Sequence, residues 1–240
     1  MITVTQSCSS VGYLPHDMPC DERFEALFPS GGRDRGLEIV GKIRMELPQY
    51  RIRGICRILY LPDERLRIDF HHASLFGAIK EEITVLVSDS LVIYDQQDER
   101  FVASDSALAV LRRAFAESIE PDDIRYALLL GVPRCSELEG LTIAESGSHW
   151  ELRARWRDRN IAIRGERALG PREFKQCFPL TKRCYRVTYD SYATVSGITY
   201  PRRVELEREN GAERVDLQVT ECREVESNPS MFDPDELDAR

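Results

Sequence analysis

The residues with the greatest potential for chemistry are the histidines, a serine beside one of them and one acidic pair. His71 and His72 are adjacent in an alternating stretch, so their side chains point to opposite faces of a strand and cannot chelate one ion together. Ser148 and His149 share a glycine-flanked turn, "ESGSHW", with no evident acid partner. The acidic pair at 122–123 fits the start of a helix, where carboxylates stabilise the dipole. Since GxSxG, GxGxxG, P-loop and HExxH motifs are also missing, the sequence predicts neither an enzyme nor a metal site.

Cysteine is the other reactive residue type, and the chain has seven. No two are spaced as CxxC, and none clusters with histidine as zinc requires. In "MITVTQSCSS", Cys8 follows a short apolar run and precedes two serines, the pattern of a lipoprotein signal, which makes Cys8 a candidate lipid acceptor. Cys177 and Cys184, which bracket "FPLTKR", are the candidate disulfide. Without Cys8, six cysteines remain, an even number. They either pair in an oxidising compartment or are mostly small buried hydrophobic residues: Cys20, Cys56, Cys135, Cys177, Cys184 and Cys222.

Composition excludes some classes of partner. The 240 residues carry a net charge of −8, and 42% are hydrophobic and 31% charged, as in soluble globular proteins. Nucleic-acid binding calls for a clustered basic face, whereas the basic residues here are scattered, so no nucleic-acid partner is predicted. No stretch approaches the roughly 18 apolar residues that a membrane-spanning helix needs.

Period-two alternation predicts β strands in two groups. In "QYRIRGICRILYLP", Ile52, Ile58 and Tyr60 share one face while arginines occupy the other, which indicates a strand with one dry and one wet face. Three more strands follow up to residue 96, and six further alternating stretches lie between residues 141 and 225. The last hairpin has Asn210–Gly211, a strong turn signal. A meander of about ten antiparallel strands is therefore expected.

Helical spacing appears only between the two groups of strands. "SDSALAVLRRAFAES" at 104–118 has a serine cap and apolar residues three and four apart, and "EPDDIRYALLLGVP" at 120–133 has proline near its start and glycine at its end. A sheet of that size twists until it curls. The predicted fold is mainly β, a large curved antiparallel sheet forming an unclosed β-barrel, with the two short helices as a plug or lid on its concave face.

Three regions follow from these patterns. Residues 1–36 are predicted to be a lipoprotein-type N-terminus and linker, because from Cys8 to about Pro29 they are rich in serine, proline, aspartate and glycine without periodicity. Residues 37–226 form the half-barrel domain. Residues 227–240 form an acidic C-terminal tail whose apolar anchor is Met231 and Phe232.

The concave side of such a sheet is either a filled core or a cavity that accepts an acyl chain, and the residues alone leave both open. A separate apolar pair, Leu75 and Phe76 in "HHASLFGAIK", lies where a hairpin tip should be polar, so it contacts the lid, a partner or a membrane, or folds back onto the core. The candidate lining residues are Ile52, Ile58, Tyr60, Leu66, Ile68, Phe70, Ile83, Val85, Val87, Trp150 and Trp156 on the sheet and Leu108, Leu111, Phe115, Ile124 and Leu128 on the lid.

The order of these elements resembles a known family. "LRIDFHHASLFG", an aromatic at Phe101 before the helix opened by "SDS", and "LLLGVP" at the end of the second helix are similar to the LolB family of outer-membrane lipoprotein receptors and to the wider group of LolA/LolB-like lipoprotein carriers. The resemblance runs from about Tyr50 to Glu224. It implies an unclosed barrel under a helical lid, with an apolar cavity for lipoprotein acyl chains, and neither cofactor nor catalysis.

The resemblance also implies a cellular role. The position that matches the family's membrane-delivery loop falls on Phe76, with Leu75 beside it. The expected protein is anchored in the outer membrane through Cys8 and faces the periplasm, with the inner leaflet of that membrane and a periplasmic LolA-like carrier as partners. The extra segment around Cys177 and Cys184 departs from the family. The alternative is a structural or sensor lipoprotein on the same fold, which has a filled core and binds a protein partner through its surface.

Overall fold

The computed structural model describes most of the sheet-forming chain. Nearly every described residue belongs to a strand or to a short connection between strands. The described residues are 22, 27–28, 36–46, 51–61, 65–73, 79–87, 91–95, 100–103, 135–167, 169–180, 182–195, 197–209, 211, 213–226 and 232.

These residues build a single sheet of 13 strands in which every pairing is antiparallel. A short 3₁₀ turn, Cys135–Glu137, precedes the seventh strand. The strands are β1 Gly36–Glu46, β2 Arg51–Tyr60, β3 Leu66–Ala73, β4 Ile79–Val87, β5 Leu91–Asp95, β6 Arg100–Ala103, β7 Leu138–Ser146, β8 His149–Trp156, β9 Arg159–Glu166, β10 Gly170–Phe178, β11 Arg183–Val195, β12 Ile198–Arg208 and β13 Arg214–Val225.

Two meanders make up the sheet. Strands β1 to β6 pair in sequence order, and so do β7 to β13; the two sets join where β1 pairs with β13, with Gly36 opposite Val225 and Glu46 opposite Arg214. This junction pairs residues far apart in the chain, so the single sheet is complete only after both meanders have formed. The edges are β6 and β7, and residues 104–134 connect them.

The sheet is curved and unclosed. One contiguous cluster of buried side chains extends along one face from Val85 in β4 to Trp156 in β8, strands far apart in the sheet order. Twist accumulates over a sheet of this many strands until the sheet curls, and the edge strands β6 and β7 do not pair with each other. The predicted mainly β, curved antiparallel half-barrel is confirmed. The two predicted lid helices lie outside the described residues. No helix in the described part of the chain is long and apolar enough to cross a bilayer.

The expectation of about ten strands is wrong, since the sheet has 13. The sequence patterns of β1, β6 and β10 did not reveal these three strands. In β1, both faces of Gly36–Ile39 are buried. In β10, Gln176 occupies an interior position, which interrupts the apolar pattern. The remaining strand, β6, has only four residues.

The face opposite the curved interior, called here the outer face, carries a buried polar group on β3 and β4. The Asp69 carboxylate accepts hydrogen bonds from Arg67 Nε at 2.8 and 3.1 Å and from Thr84 Oγ1 at 2.9 Å. All three residues are at most 5% exposed. A buried charge is tolerated only when it is paired and hydrogen-bonded in this way.

A second buried carboxylate, Glu38, explains why β1 is covered on both faces. Its oxygens accept hydrogen bonds from Arg57 Nε at 2.5 Å and from Arg223 Nε, one arginine on each neighbouring strand. Burial opposes ionisation of Glu38, but the two arginines outweigh it and hold the pKa below its usual value. The interaction therefore stabilises the fold at neutral pH and is lost as the pH falls through the lowered pKa.

The C-terminal region also contacts this sheet. Phe232 is buried in a small cluster with Leu59 and Leu61, at and just beyond the end of β2. The guanidinium of Arg65 lies 6.0 Å from the centroid of the Phe232 ring. The rest of the predicted anchor, Met231, lies outside the described residues.

Candidate functional site

The interior face of the sheet is apolar because the strands alternate. In β8, Trp150, Leu152, Ala154 and Trp156 are buried, while the residues between them are half-buried or exposed. In β9, Ile161 and Ile163 continue this surface, opposite Ala154 and Leu152 respectively. Both tryptophans therefore lie on the interior face of β8, in the same buried cluster.

The first meander supplies the other half of the interior face. Ile58 lies opposite Ile68, which lies opposite Val85, so three neighbouring strands present branched side chains in one row. Tyr60 and Leu66 form the adjacent pair in the same cluster. Phe70 is partly buried against the cluster. The backbone register places Ile52, Ile83 and Val87 opposite Met45, Phe70 and Leu66, respectively.

Two residues from the N-terminal region enter the interior. Leu27 and Phe28 are 2% and 7% exposed and belong to the same cluster. The Phe28 ring meets the Trp150 indole edge-on, with centroids 5.5 Å apart, a geometry that adds to simple area burial. These two residues belong to the region predicted as a linker, residues 1–36, and their burial was not predicted because an isolated apolar pair among polar residues has no periodicity.

Gly165 provides the space in which Trp150 lies. A Cβ at position 165 would be 2.4 Å from Trp150 Cζ2 and 2.5 Å from the backbone oxygen of Gly170. Such distances are too short for any real side chain. The indole therefore lies directly on the backbone of β9, and its placement depends on this glycine.

A polar end interrupts the apolar surface. Arg159 is fully buried, with its guanidinium 5.0 Å from the Trp156 ring centroid and 4.6 Å from that of Phe178. Its Nε lies 3.3 Å from Asp158 Oδ1. Gln176 is buried on the same face as Phe178, because the two residues are two positions apart in β10. Arg159 could have been assigned to the interior from its spacing with the isoleucines at 161 and 163.

Two interior polar atoms have no hydrogen-bond partner among the described residues, Trp150 Nε1 and Gln176 Oε1. Buried polar atoms are normally hydrogen-bonded. One atom is a donor and the other an acceptor, so the apolar face also offers two points at which a polar group of a ligand can bind.

Four ionisable side chains of the apolar cluster stay protonated at neutral pH. Burial raises the pKa of the Cys56 thiol to about 12 and that of Cys222 to about 11. Burial also raises the pKa values of Tyr189 and Tyr192 above their usual range. These groups therefore stay protonated. Of the candidate chemical residues, Ser148 Oγ and His149 Nδ1 lie 3.3 Å apart, and both residues are exposed.

The cysteines do not all pair. Cys177 and Cys184 lie directly opposite each other in β10 and β11 and form a disulfide, and Cys135 is also disulfide-bonded. Cys56 and Cys222 are free and buried in the apolar cluster. The hypothesis that all six non-lipidated cysteines pair is therefore wrong for the last two.

Several predicted positions lie outside the described residues. They are the lipid acceptor Cys8, the loop pair Leu75 and Phe76, and the lid residues Leu108, Leu111, Phe115, Ile124 and Leu128. Within the described residues, no three His, Cys, Asp or Glu side chains come together in a way that could hold a metal ion.

Solved structures identify this architecture. A LolA superfamily protein from Nitrosomonas europaea superposes with a TM-score of 0.60 at 12% identity, covering 90% of this chain and 97% of the other. The chain has the LolA-like fold. A domain described as an outer membrane lipoprotein-sorting protein, from Vibrio parahaemolyticus, gives a TM-score of 0.66 at 9% identity over 91% of this chain and 97% of its own.

A protein of the DUF1329 family from Desulfovibrio piger also superposes on this chain. Its TM-score is 0.64 at 12% identity, over 91% of this chain and 96% of its own. Comparison of the sequence with protein-family models and with curated proteins finds no match. At these identities the similarity establishes the fold alone.

Proposed function

We propose that this protein binds acyl chains of lipoproteins, or of other lipids, against its interior face, without catalysis and without a cofactor. One observation carries the proposal: a contiguous apolar surface lines the concave side of the sheet across both meanders. Each methylene group removed from water contributes about 0.8 kcal/mol. A long acyl chain is therefore a ligand that such a surface can bind without specific chemistry.

The unpartnered interior atoms suggest how a ligand is oriented. The Trp150 indole N–H can donate a hydrogen bond to an ester or amide carbonyl, and Gln176 Oε1 can accept one from an amide or hydroxyl group. Ester and amide groups both occur where acyl chains join a lipoprotein. Because Phe28 occupies part of the interior against Trp150, a bound chain must displace Phe28 or lie beside it.

The cellular setting belongs to the same proposal. Disulfides persist in oxidising compartments such as the periplasm, and this chain has one between Cys177 and Cys184. We place the protein at the outer membrane, facing the periplasm, with Cys8 as lipid anchor and with Leu75 and Phe76 delivering cargo to the inner leaflet. It would receive lipoproteins from a periplasmic LolA-like carrier and assist their localisation.

Titration of the purified protein with fatty acids of increasing length, in competition with a fluorescent fatty acid, tests the binding proposal. We expect saturable binding that tightens by about fourfold per added methylene until the interior is filled. Leu152→Ala should weaken binding by about tenfold, because an acyl chain that takes the place of Phe28 against Trp150 would extend along the interior face of β8, which Leu152 shares with Trp150.

Arg153→Ala is the matched control, since Arg153 is the next residue of the same strand and is exposed on the outer face. Its affinity should equal that of the wild type. Thermal unfolding confirms that both variants are folded at the assay temperature. Absence of saturation, or an affinity that does not depend on chain length, would contradict the proposal and favour the filled-core alternative.

A further inference from the structure

The hairpin between β10 and β11 ends in an exposed leucine. Leu180 is 93% exposed, whereas the other exposed large hydrophobic side chains among the described residues, at Ile55, Leu169 and Val195, are 36–41% exposed. Single apolar residues on a surface are common. This one differs because it is almost wholly in solvent and lies at the tip of a hairpin.

The hairpin is held on both faces just below its tip. On the outer face, the Cys177–Cys184 disulfide joins the two strands. On the interior face, Phe178 packs edge-on against Tyr185, with centroids 6.4 Å apart. These contacts fix both strands close to the turn, so Leu180 cannot reach the core without breaking them.

Both charged residues of the hairpin tip are basic. Lys182, in a left-handed conformation with φ of 53°, is exposed at the turn, and Arg183 follows it. Exposed Arg157 lies in the turn that leads into β9, which is the neighbour of β10. Asp158 is the acidic residue of that same turn. Exposed Glu209, whose backbone N–H donates to the Cys184 carbonyl oxygen, is a further acidic residue beside the hairpin. Within the tip itself both charged residues are basic, in a chain whose net charge is −8.

We propose that this tip, formed by Pro179, Leu180, Lys182 and Arg183, is a membrane contact that inserts Leu180 into a bilayer surface containing anionic lipids. An apolar side chain enters the boundary between headgroups and acyl chains, while nearby lysine and arginine side chains attract lipid phosphates. The register places the tip at the same end of the sheet as Ala73 and Ile79, the paired ends of β3 and β4. This membrane contact does not depend on ligand binding in the interior.

Co-sedimentation with lipid vesicles tests the contact. The wild-type protein, produced without a lipid anchor, should bind vesicles that contain phosphatidylglycerol more tightly than vesicles of phosphatidylcholine alone, and added salt should weaken the binding. Leu180→Glu should reduce the partition coefficient by about tenfold or more, the effect of losing one inserted leucine and adding a like charge. A Lys182→Glu, Arg183→Glu double variant should remove the preference for phosphatidylglycerol.

Val195→Glu is the matched control, because Val195 is a partly exposed apolar residue at the opposite end of β11. It should bind vesicles as the wild type does. No vesicle binding by the wild type, equal binding by wild type and Leu180→Glu, or equal losses in Leu180→Glu and Val195→Glu would each overturn the proposal. Fatty-acid affinity in solution should be unchanged in Leu180→Glu, so a failure of this contact is distinguishable from a failure of acyl binding.

Discussion

Gly165→Ala is expected to destabilise the protein by about 3 kcal/mol, the upper end of the range for overpacking a core. The added Cβ would lie 2.4 Å from the Trp150 ring and 2.5 Å from the Gly170 carbonyl oxygen, so neither the indole nor the β9–β10 pairing can stay in place. Urea unfolding monitored by tryptophan fluorescence measures the loss. A red-shifted emission of the folded variant would report that Trp150 has moved.

Gly147→Ala is the control for this substitution. Gly147 has a φ of +63°, and a Cβ there would meet nothing within 4 Å. Its cost should be about 1 kcal/mol, from the left-handed backbone alone. Equal losses of stability in the two variants would contradict the view that close packing of Trp150 on β9 shapes the interior.

Asp69→Ala is expected to cost about 3–5 kcal/mol, the range for removing one member of a buried ion pair. The substitution takes away the carboxylate to which Arg67 Nε donates at 2.8 Å and to which the Thr84 hydroxyl donates at 2.9 Å. Both donors are buried, and water cannot replace the lost acceptor without opening the outer face. Chemical denaturation at neutral pH measures the change.

The matched control is Asp216→Ala. Asp216 accepts hydrogen bonds from Arg203 at 2.6 and 3.1 Å, but the Arg203 side chain is 47% exposed. Exposed ion pairs contribute about 0–1 kcal/mol, so this variant should remain near wild-type stability. A small effect at Asp69, similar to that at Asp216, would show that the β3–β4 carboxylate does not stabilise the sheet.

Alternation predicted those parts of the sheet that have one wet and one dry face. In β8 the tryptophans at 150 and 156 fall on the buried side because the arginines between them face solvent, and the sequence displays this directly. β1 could not be recognised in this way, since Glu38 is buried by arginines from the two neighbouring strands. Local sequence does not encode a pairing that brings position 36 against position 225.

The candidate site was predictable to a similar extent. The branched and aromatic lining followed from period-two spacing, and the same spacing contains Arg159, which was overlooked because arginine is rarely buried. Leu27 and Phe28 had no signal, because two apolar residues in a polar stretch look the same whether or not they fold back into a core. The exposure of Leu180 depends on how the hairpin around it is braced, and only the pairing of the strands reveals this.

Photo-crosslinking with a diazirine-bearing long-chain fatty acid tests most directly whether the interior face binds acyl chains. Peptide mapping should find the label on interior residues of β8 and β9, such as Trp150, Leu152 and Ile163, and excess unlabelled palmitate should suppress it. Label confined to exposed positions such as Arg153 or Arg164, or label that palmitate does not suppress, would contradict the account.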